Sequence, residues 1–429
     1  VTARRTVAEP TPTRVGYGTL LRTPGAWTFL VPAFAARLPY AMLSAAVVLL
    51  IQHEYNSYGT AGLVVAFAAA TQALIGPQSG RLADRSGQAV VLIPTIAAHA
   101  VSVAALIALA LNHAPVWTLY LAAGTAGASV PQIGAMVRAR WVAKFSDSPQ
   151  KLNTAFAFES VTDEFTFAIG PVLASGISAF ASPSAALITE AALTVVGGLA
   201  FAAQRRTAPA LHPYVPGTKQ ASALSSPGVR LLAGSFLGVG SVFGAMTVSV
   251  TAYATAEGQS GLTGVVYGIF AGGSMLAGVL YGMISWRRSV KQRMLGSYTL
   301  LVLGCSTLWA MPNLTTLAIA GLFCGLAIAP TLISGYTLVE TLVADGAKTE
   351  AFTWLTGAIG LGLAAGSIVA GLLVDQHGAW AGFVVPVFGA GLGLIALVSL
   401  RRLLTAPSAP SVVVAHGASQ VQLAGVSKG

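Results

Sequence analysis

Polar side chains in this chain are gathered into short stretches, and between them run segments too long and too evenly apolar to be one face of a soluble helix. An amphipathic surface helix returns to polar positions on every turn, and these segments do not. A helix rises about 1.5 Å per residue, so crossing a hydrocarbon layer of about 30 Å takes about 20 apolar residues. Twelve runs approach that length: 27–51, 61–79, 89–111, 116–137, 152–180, 185–203, 231–254, 262–285, 294–310, 317–338, 352–374 and 380–400. The pattern predicts an all-α polytopic membrane protein with twelve transmembrane helices, because a backbone in lipid must satisfy its own hydrogen bonds.

Composition agrees: 55% of residues are hydrophobic and 8% charged, with a mean hydropathy of +0.75. The charges also give a direction. Outer connections near Asn56, Asn112, Ser182, Gly258, Asn313 and His377 hold no Lys or Arg, whereas the alternate connections hold Arg81, Arg85, Lys144, Lys151, Arg205, Arg206, Lys219, Arg230, Arg287, Arg288, Lys291, Arg293 and Lys348. Arg37 is the exception, inside the first apolar run. The positive-inside rule then predicts that both termini are cytoplasmic, in a plasma (inner) membrane. The net charge of +10 follows from this topology and from anionic lipid, and calls for no nucleic-acid partner. The first 22 residues are polar and the first apolar run is full length, so no cleavable signal is expected. Cys305 and Cys324 fall inside apolar runs and are read as small packing residues, not a disulfide.

The chain repeats itself. Thr23-Pro24-Gly25 recurs as Ser226-Pro227-Gly228, Gly80 aligns with Gly282, Pro131 with Pro330, and Ala155-Phe156 with Ala351-Phe352. These anchors predict two pseudo-symmetric six-helix bundles: a cytoplasmic tail at 1–22, a first bundle at 23–203, a proline- and glycine-rich cytoplasmic linker at 204–230, a second bundle at 231–402 and a tail at 403–429. Paired bundles around a central cavity are the architecture of alternating access.

Between the second and third runs stands Gly80-Arg81-Leu82-Ala83-Asp84-Arg85-Ser86-Gly87. Gly80 permits close helix approach, Gly87 a tight turn, and Asp84 can face the positive end of a neighbouring helix. The string resembles the cytoplasmic signature loop of the major facilitator superfamily, and the resemblance spans about residues 20–402. It implies a cytoplasmic gate of Gly80, Asp84, Arg85 and Gly87 latching onto the start of helix eleven at 350–354. In helix five, the stretch from Ala168 to Gly176, with Gly170-Pro171 as an expected bend, is similar to a signature of proton-coupled drug exporters in that superfamily. The arginine that such exporters carry in mid-helix four has no counterpart here, Arg138 and Arg140 lying near its cytoplasmic end.

Helix five also carries Glu159, Asp163 and Glu164, the last two about 15 Å deep, with Arg37 at similar depth in helix one. Each costs about 2.5 to 3.5 kcal/mol in mid-membrane unless paired, protonated or wetted. Glu159 and Asp163 share a face and Glu164 looks elsewhere. Their counterparts in the second repeat, Leu355, Ile359, Gly360 and, for Arg37, Gly240, are uncharged. The scaffold therefore does not need them, and they are the candidate proton-coupling set, with a static Arg37–Asp163 pair as the alternative. Phe34, Tyr40, Phe156, Tyr253, Tyr336 and Trp354 are candidate cavity-lining residues. His99 and Glu190 are read as locally satisfied, and Gly362, Gly366 and Ala370 as a close-packing stripe. No metalloprotease, Ser-His or phosphate-loop motif is present, so the chain is expected not to be an enzyme and to use no metal or cofactor. The expectation is a monomeric secondary transporter whose partners are a small-molecule substrate, protons and the lipid bilayer. It exports a small apolar or cationic compound in exchange for protons, or alternatively imports a metabolite by proton symport.

Overall fold

The computed structural model describes residues 16–211, 222–259 and 262–405. Most of both expected tails and the middle of the linker, with Lys219, lie outside the described residues. The elements are helical throughout: α1 Tyr17–Leu21, α2 Ala26–Tyr55, α3 Tyr58–Ser86, α4 Gln88–Leu111, α5 Val116–Ala128, α6 Ile133–Lys144, α7 Pro149–Phe180, α8 Pro183–Ala202, α9 Pro227–Ala256, α10 Thr263–Met283, α11 Val290–Leu308, α12 Leu314–Leu342, α13 Lys348–His377 and α14 Val384–Ser399. Among the described residues, nine helical stretches are long and apolar enough to cross a membrane. The other three expected crossings differ for visible reasons. The run at 116–137 is not one helix but two, α5 and α6. The 32 residues of α7 include Lys151, Glu159, Asp163 and Glu164, and α11 is 19 residues long with Lys291 and Arg293 near its start.

Why the 116–137 run breaks can be read locally. Pro131 has no N–H to give the preceding turn, and the carbonyls left over find side chains instead. Ser129 Oγ donates to Thr125 O and Ala126 O, Gln132 Nε2 donates to Val130 O at 2.9 Å, and His99 Nδ1 from α4 donates to Ala126 O at 2.9 Å. The equivalent Pro330 lies inside an unbroken α12, where Ile328 and Thr331 stand in place of Ser129 and Gln132. Proline alone does not divide the helix; proline with polar caps does.

Packing falls into two groups. In one, α2 packs on α7 and α8, α3 on α5, and α4 on α5 and α8; in the other, α9 packs on α13 and α14, and α12 on α10 and α11. Small residues set the closest approach: a Cβ on Gly240 or Gly362 would overlap the backbone of the opposite helix, Ile359 O or Leu237 O respectively. Cys305 and Cys324 are buried, free, and 3.5 Å apart at sulfur.

The groups meet along α3–α13 and α7–α10, at the end of the molecule that carries most of the Arg and Lys. From that basic end the seam contains Phe156 edge-on to Phe352 at 5.7 Å, Thr154 Oγ1 donating to Gly282 O at 3.2 Å, and Arg293 Nη1 donating to Asn153 Oδ1 at 2.9 Å. It reaches as far as Ala73 beside Gly357 and Glu164 beside Ser274. Glu164 lies 15 residues along α7, so these contacts extend about 22 Å from the start of that helix. One expected tail segment joins the seam as well. Tyr17 in α1 donates to Gly278 O and Val279 O, both at 3.0 Å, and burial pushes its hydroxyl up to about 12, so it remains a neutral donor.

Candidate functional site

At the basic end the loop after α3, where the sequence places the expected gate, packs against the start of α13. Gly87 has a φ of +97°, a conformation open to glycine at little cost, and it turns the chain from α3 into α4. Asp84 Oδ1 and Oδ2 accept the amides of Thr349 and Glu350 at 3.2 and 3.1 Å. A carboxylate thus caps the positive N-terminus of α13 across the seam. Gly80 makes room for this: a Cβ there would stand 2.9 Å from Thr353 Oγ1 and 3.0 Å from Thr349 O. Arg81 Nε lies 3.8 Å from Glu350 Oε2, Arg85 closes the last turn of α3, and Ser222, at the far end of the linker, donates to the Glu350 carboxylate. Leu211, at its near end, comes close to Gly87.

Within the depth of the seam the buried charges separate into two sites. Arg37 pairs with Glu159, and the other Glu159 oxygen accepts Trp141 Nε1 at 2.7 Å. Glu159 is fully buried, a carboxylate satisfied from two sides and removed from the cleft. Asp163, one turn further on the same face, has a side chain 29% exposed; it meets Arg138 Nη2 at 2.5 Å and Arg37 Nη1 at 3.4 Å. Glu164 points the other way, as its 100° rotation requires, and accepts Ser274 Oγ of α10.

The position of Arg138 corrects the sequence reading. Expected near the basic end of helix four, its guanidinium is buried and reaches the centre, pairing with Asp163 and lying 4.0 Å over the Tyr336 ring of α12. The long side chain carries the charge inward from its backbone position, so Arg37 is not the sole central cation and the expected Arg37–Asp163 pair is one edge of a four-charge cluster. No spacing rule signalled this, since Arg138 and Asp163 are 25 positions apart on different helices.

The aromatic candidates divide in the same way. Tyr40, its ring 5.4 Å from Phe167, lines a central notch with Arg37, Arg138, Asp163 and Thr356. Tyr336 forms the floor under Arg138 and shares a hydrogen bond with Thr356 at 3.1 Å. Phe34 faces a separate, largely apolar pocket of about 330 Å³ between α2 and α7, which touches the back of Arg37 and Glu159. Phe156 does not line a cavity, because it is buried in the seam against Phe352. Tyr253 does not either: its hydroxyl donates to Met311 O at 2.9 Å, where α9 meets the turn before α12, and its ring faces Phe383. Trp354 is half-buried, with Nε1 enclosed and without an acceptor. Gly170-Pro171 does not divide α7, which is one helix from Pro149 to Phe180; Gly170 instead lets Ala41 of α2 approach to contact. His99 and Glu190 form a fully enclosed pair at 2.9 Å.

A two-group helical bundle joined at its basic end, with a buried charge cluster near the seam, is the architecture of the class of multi-pass membrane transporters. The model of the Major Facilitator Superfamily matches residues 29–309 and 261–420, and the chain belongs to that family. Its fold is similar to that of the human organic anion transporter MFSD10 (TETRAN), with 17% identity, a TM-score of 0.66, and 88% of this chain and 98% of that chain covered. It is also similar to a bacterial homologue of the iron transporter ferroportin in an outward-facing state, at 14% identity, a TM-score of 0.71, and 88% and 99% coverage. At these identities the likeness is one of fold. No curated protein matches the sequence. Family and fold together make the chain a multi-pass membrane protein of the secondary-transport type.

Proposed function

We propose that the chain is a proton-coupled secondary transporter of a small organic compound, built as two six-helix bundles at 23–203 and 231–402 with twelve crossings, in a plasma membrane with both termini cytoplasmic. The excess of Arg and Lys at the latched end supports that orientation, which makes the described state outward-facing. One observation carries the coupling: of the three acids on α7, Asp163 alone combines partial exposure with arginines from two other helices. A group of that kind can take a proton from the cleft while its partners are handed to something else. Both guanidiniums already occupy Asp163, so the site favours binding a substrate together with a proton, the symport reading. The apolar pocket beside Phe34 supports the second reading, export of an apolar or cationic compound in exchange for protons.

The test is proton flux in liposomes holding the purified protein under an imposed pH gradient, with organic acids, neutral aromatics and lipophilic cations as substrates. Asp163→Asn is expected to lose compound-dependent flux. Glu164→Gln, whose amide oxygen still accepts Ser274 Oγ, is expected to keep most of it. Full flux in Asp163→Asn would sink the reading.

A further inference from the structure

The second half of the broken span begins inside the molecule. At the start of α6, Ile133 N–H bonds Pro131 O and Met136 N–H bonds Gln132 O, and between them the amides of Gly134 and Ala135 have no backbone acceptor among the described residues. Helix N-termini leave such donors free and carry about half a positive charge. This one opens on the central notch, a space of about 60 Å³.

Two guanidiniums share the notch. A Cβ on Gly134 would lie 3.3 Å from Arg138 Nη1, a tight contact, and 3.8 Å from Arg37 Nε, an ordinary one, so both arginines stand against this helix start. Arg37 is 5% and Arg138 1% exposed, and the Nε of each is enclosed without a hydrogen-bond partner. Buried donors are nearly always paired, and orphans call for an explanation. Three sets of unspent donors converge here, and they all suit an anion. The second repeat has neither the break nor the charges, which ties the two features to each other rather than to the scaffold.

We propose that this notch holds the acidic group of the substrate, a small organic monoanion, and that uptake of a proton by Asp163 releases Arg138 to it. This rests on the proton-coupled reading above and names its substrate class. With Asp163 ionised, Arg37 and Arg138 are balanced by Glu159 and Asp163, and the carboxylate of Asp163 occupies the fork that a substrate carboxylate would use. With Asp163 protonated the cluster is one positive charge in excess, and an anion restores balance. Proton and anion therefore travel together. The groups facing Asp163 are Arg37 and Tyr40 of α2, Arg138 of α6 and Tyr336 of α12, with Glu159 and Glu164 on its own helix. Of these, only the two arginines bear positive charge. The notch has room for an acid group and little more, so the body of the substrate extends along Tyr40 and Phe167 into the cleft.

The experiment is calorimetric binding of acetate, benzoate, benzamide and benzylammonium to the purified full chain in lipid nanodiscs, in buffers of different ionisation enthalpy, at about pH 5 and about pH 8. Expected are acids binding more tightly than the amide or the amine, about one proton taken up per anion, and a Kd that rises about ten-fold per pH unit once Asp163 ionises. Asp163→Asn is expected to bind benzoate independently of pH with no proton uptake. The charge-balanced double variant Arg138→Gln with Asp163→Asn, checked for folding by size-exclusion profile and thermal unfolding, is expected to lose benzoate binding by about ten-fold or more. Acids binding no better than benzamide, or binding undiminished in the double variant, overturn the assignment. Benzylammonium-driven proton flux that disappears in Asp163→Asn also overturns it while leaving proton coupling in place. Benzoate binding without proton uptake in the unmodified chain overturns the proton release and the coupling reading together.

Discussion

Three carboxylates within six positions of one helix have three different fates, and neighbours decide each. Glu159 is closed in by Arg37 and Trp141, so it acts as the fixed counter-charge that holds Arg37 in place. Removing one partner of such a buried pair leaves the other charge uncompensated, at a cost of about 3 kcal/mol. Glu159→Gln is accordingly expected to lower the thermal unfolding temperature of the purified protein markedly, whereas Asp163→Asn, which leaves buried Arg138 without its carboxylate but at a position 29% exposed that water can reach, should lower it less. Equal losses in the two variants would count against the division of roles. The sequence showed that Glu159 and Asp163 share a face and that Glu164 does not. It did not show that a third helix sends Arg138 to Asp163, because the reach of a long side chain depends on where its helix is aimed.

Helix breaks and helix contacts follow local chemistry more closely. Pro131 with Ser129 and Gln132 divides the fourth span, while Pro330 with Ile328 and Thr331 does not. His99 supports the break from α4: Nδ1 faces a carbonyl and must carry the hydrogen, while Nε2 shares a proton with Glu190. His99→Phe is expected to destabilise the protein by about 1 to 3 kcal/mol, measured by thermal unfolding, since it leaves buried Glu190 with only the Thr194 hydroxyl as a partner. The α9–α13 contact depends instead on missing side chains. Gly240→Ala places a methyl group into Ile359 O, an overpacking worth about 1 to 3 kcal/mol, and a fully stable variant would show that the helices do not lie this close. The four-residue spacing of Gly362, Gly366 and Ala370 made this packing legible in sequence, although the partner helix was not.

In the transport reading proposed above, the bundle passes between two states, and the contacts of the seam at the basic end belong to one of them. Asp84 contributes a charge at the start of α13 that a neutral amide does not supply. A helix-terminus interaction of about 1 kcal/mol shifts a two-state population by about five-fold. Asp84→Asn is therefore expected to raise the population open at the basic end, read from distances between spin labels placed across the opposite end of the cleft. Tyr17→Phe, which removes the hydroxyl that bridges α1 to α10, is expected to act in the same direction and less strongly. An unchanged distance distribution in Asp84→Asn would mean that the latch holds little of the closed state's free energy.

By itself the sequence determined what depends on composition along the chain. Runs of apolar residues specify spanning helices because lipid offers the backbone no partners. The placement of Lys and Arg marks one end of the molecule, and the repeated anchors reveal a duplicated architecture. The turn at Gly87 was legible too, since a short loop motif contains its own glycine, and so was Asp84 as a carboxylate facing a helix start. Tertiary structure alone decided which charges meet. Arg138 and Asp163 are 25 positions apart on different helices, Glu164 and Ser274 belong to different halves, and the start of α6 lines the notch beside both arginines. Distances across helices depend on crossing geometry and close packing, to which every side chain in the interface contributes and which no local spacing records.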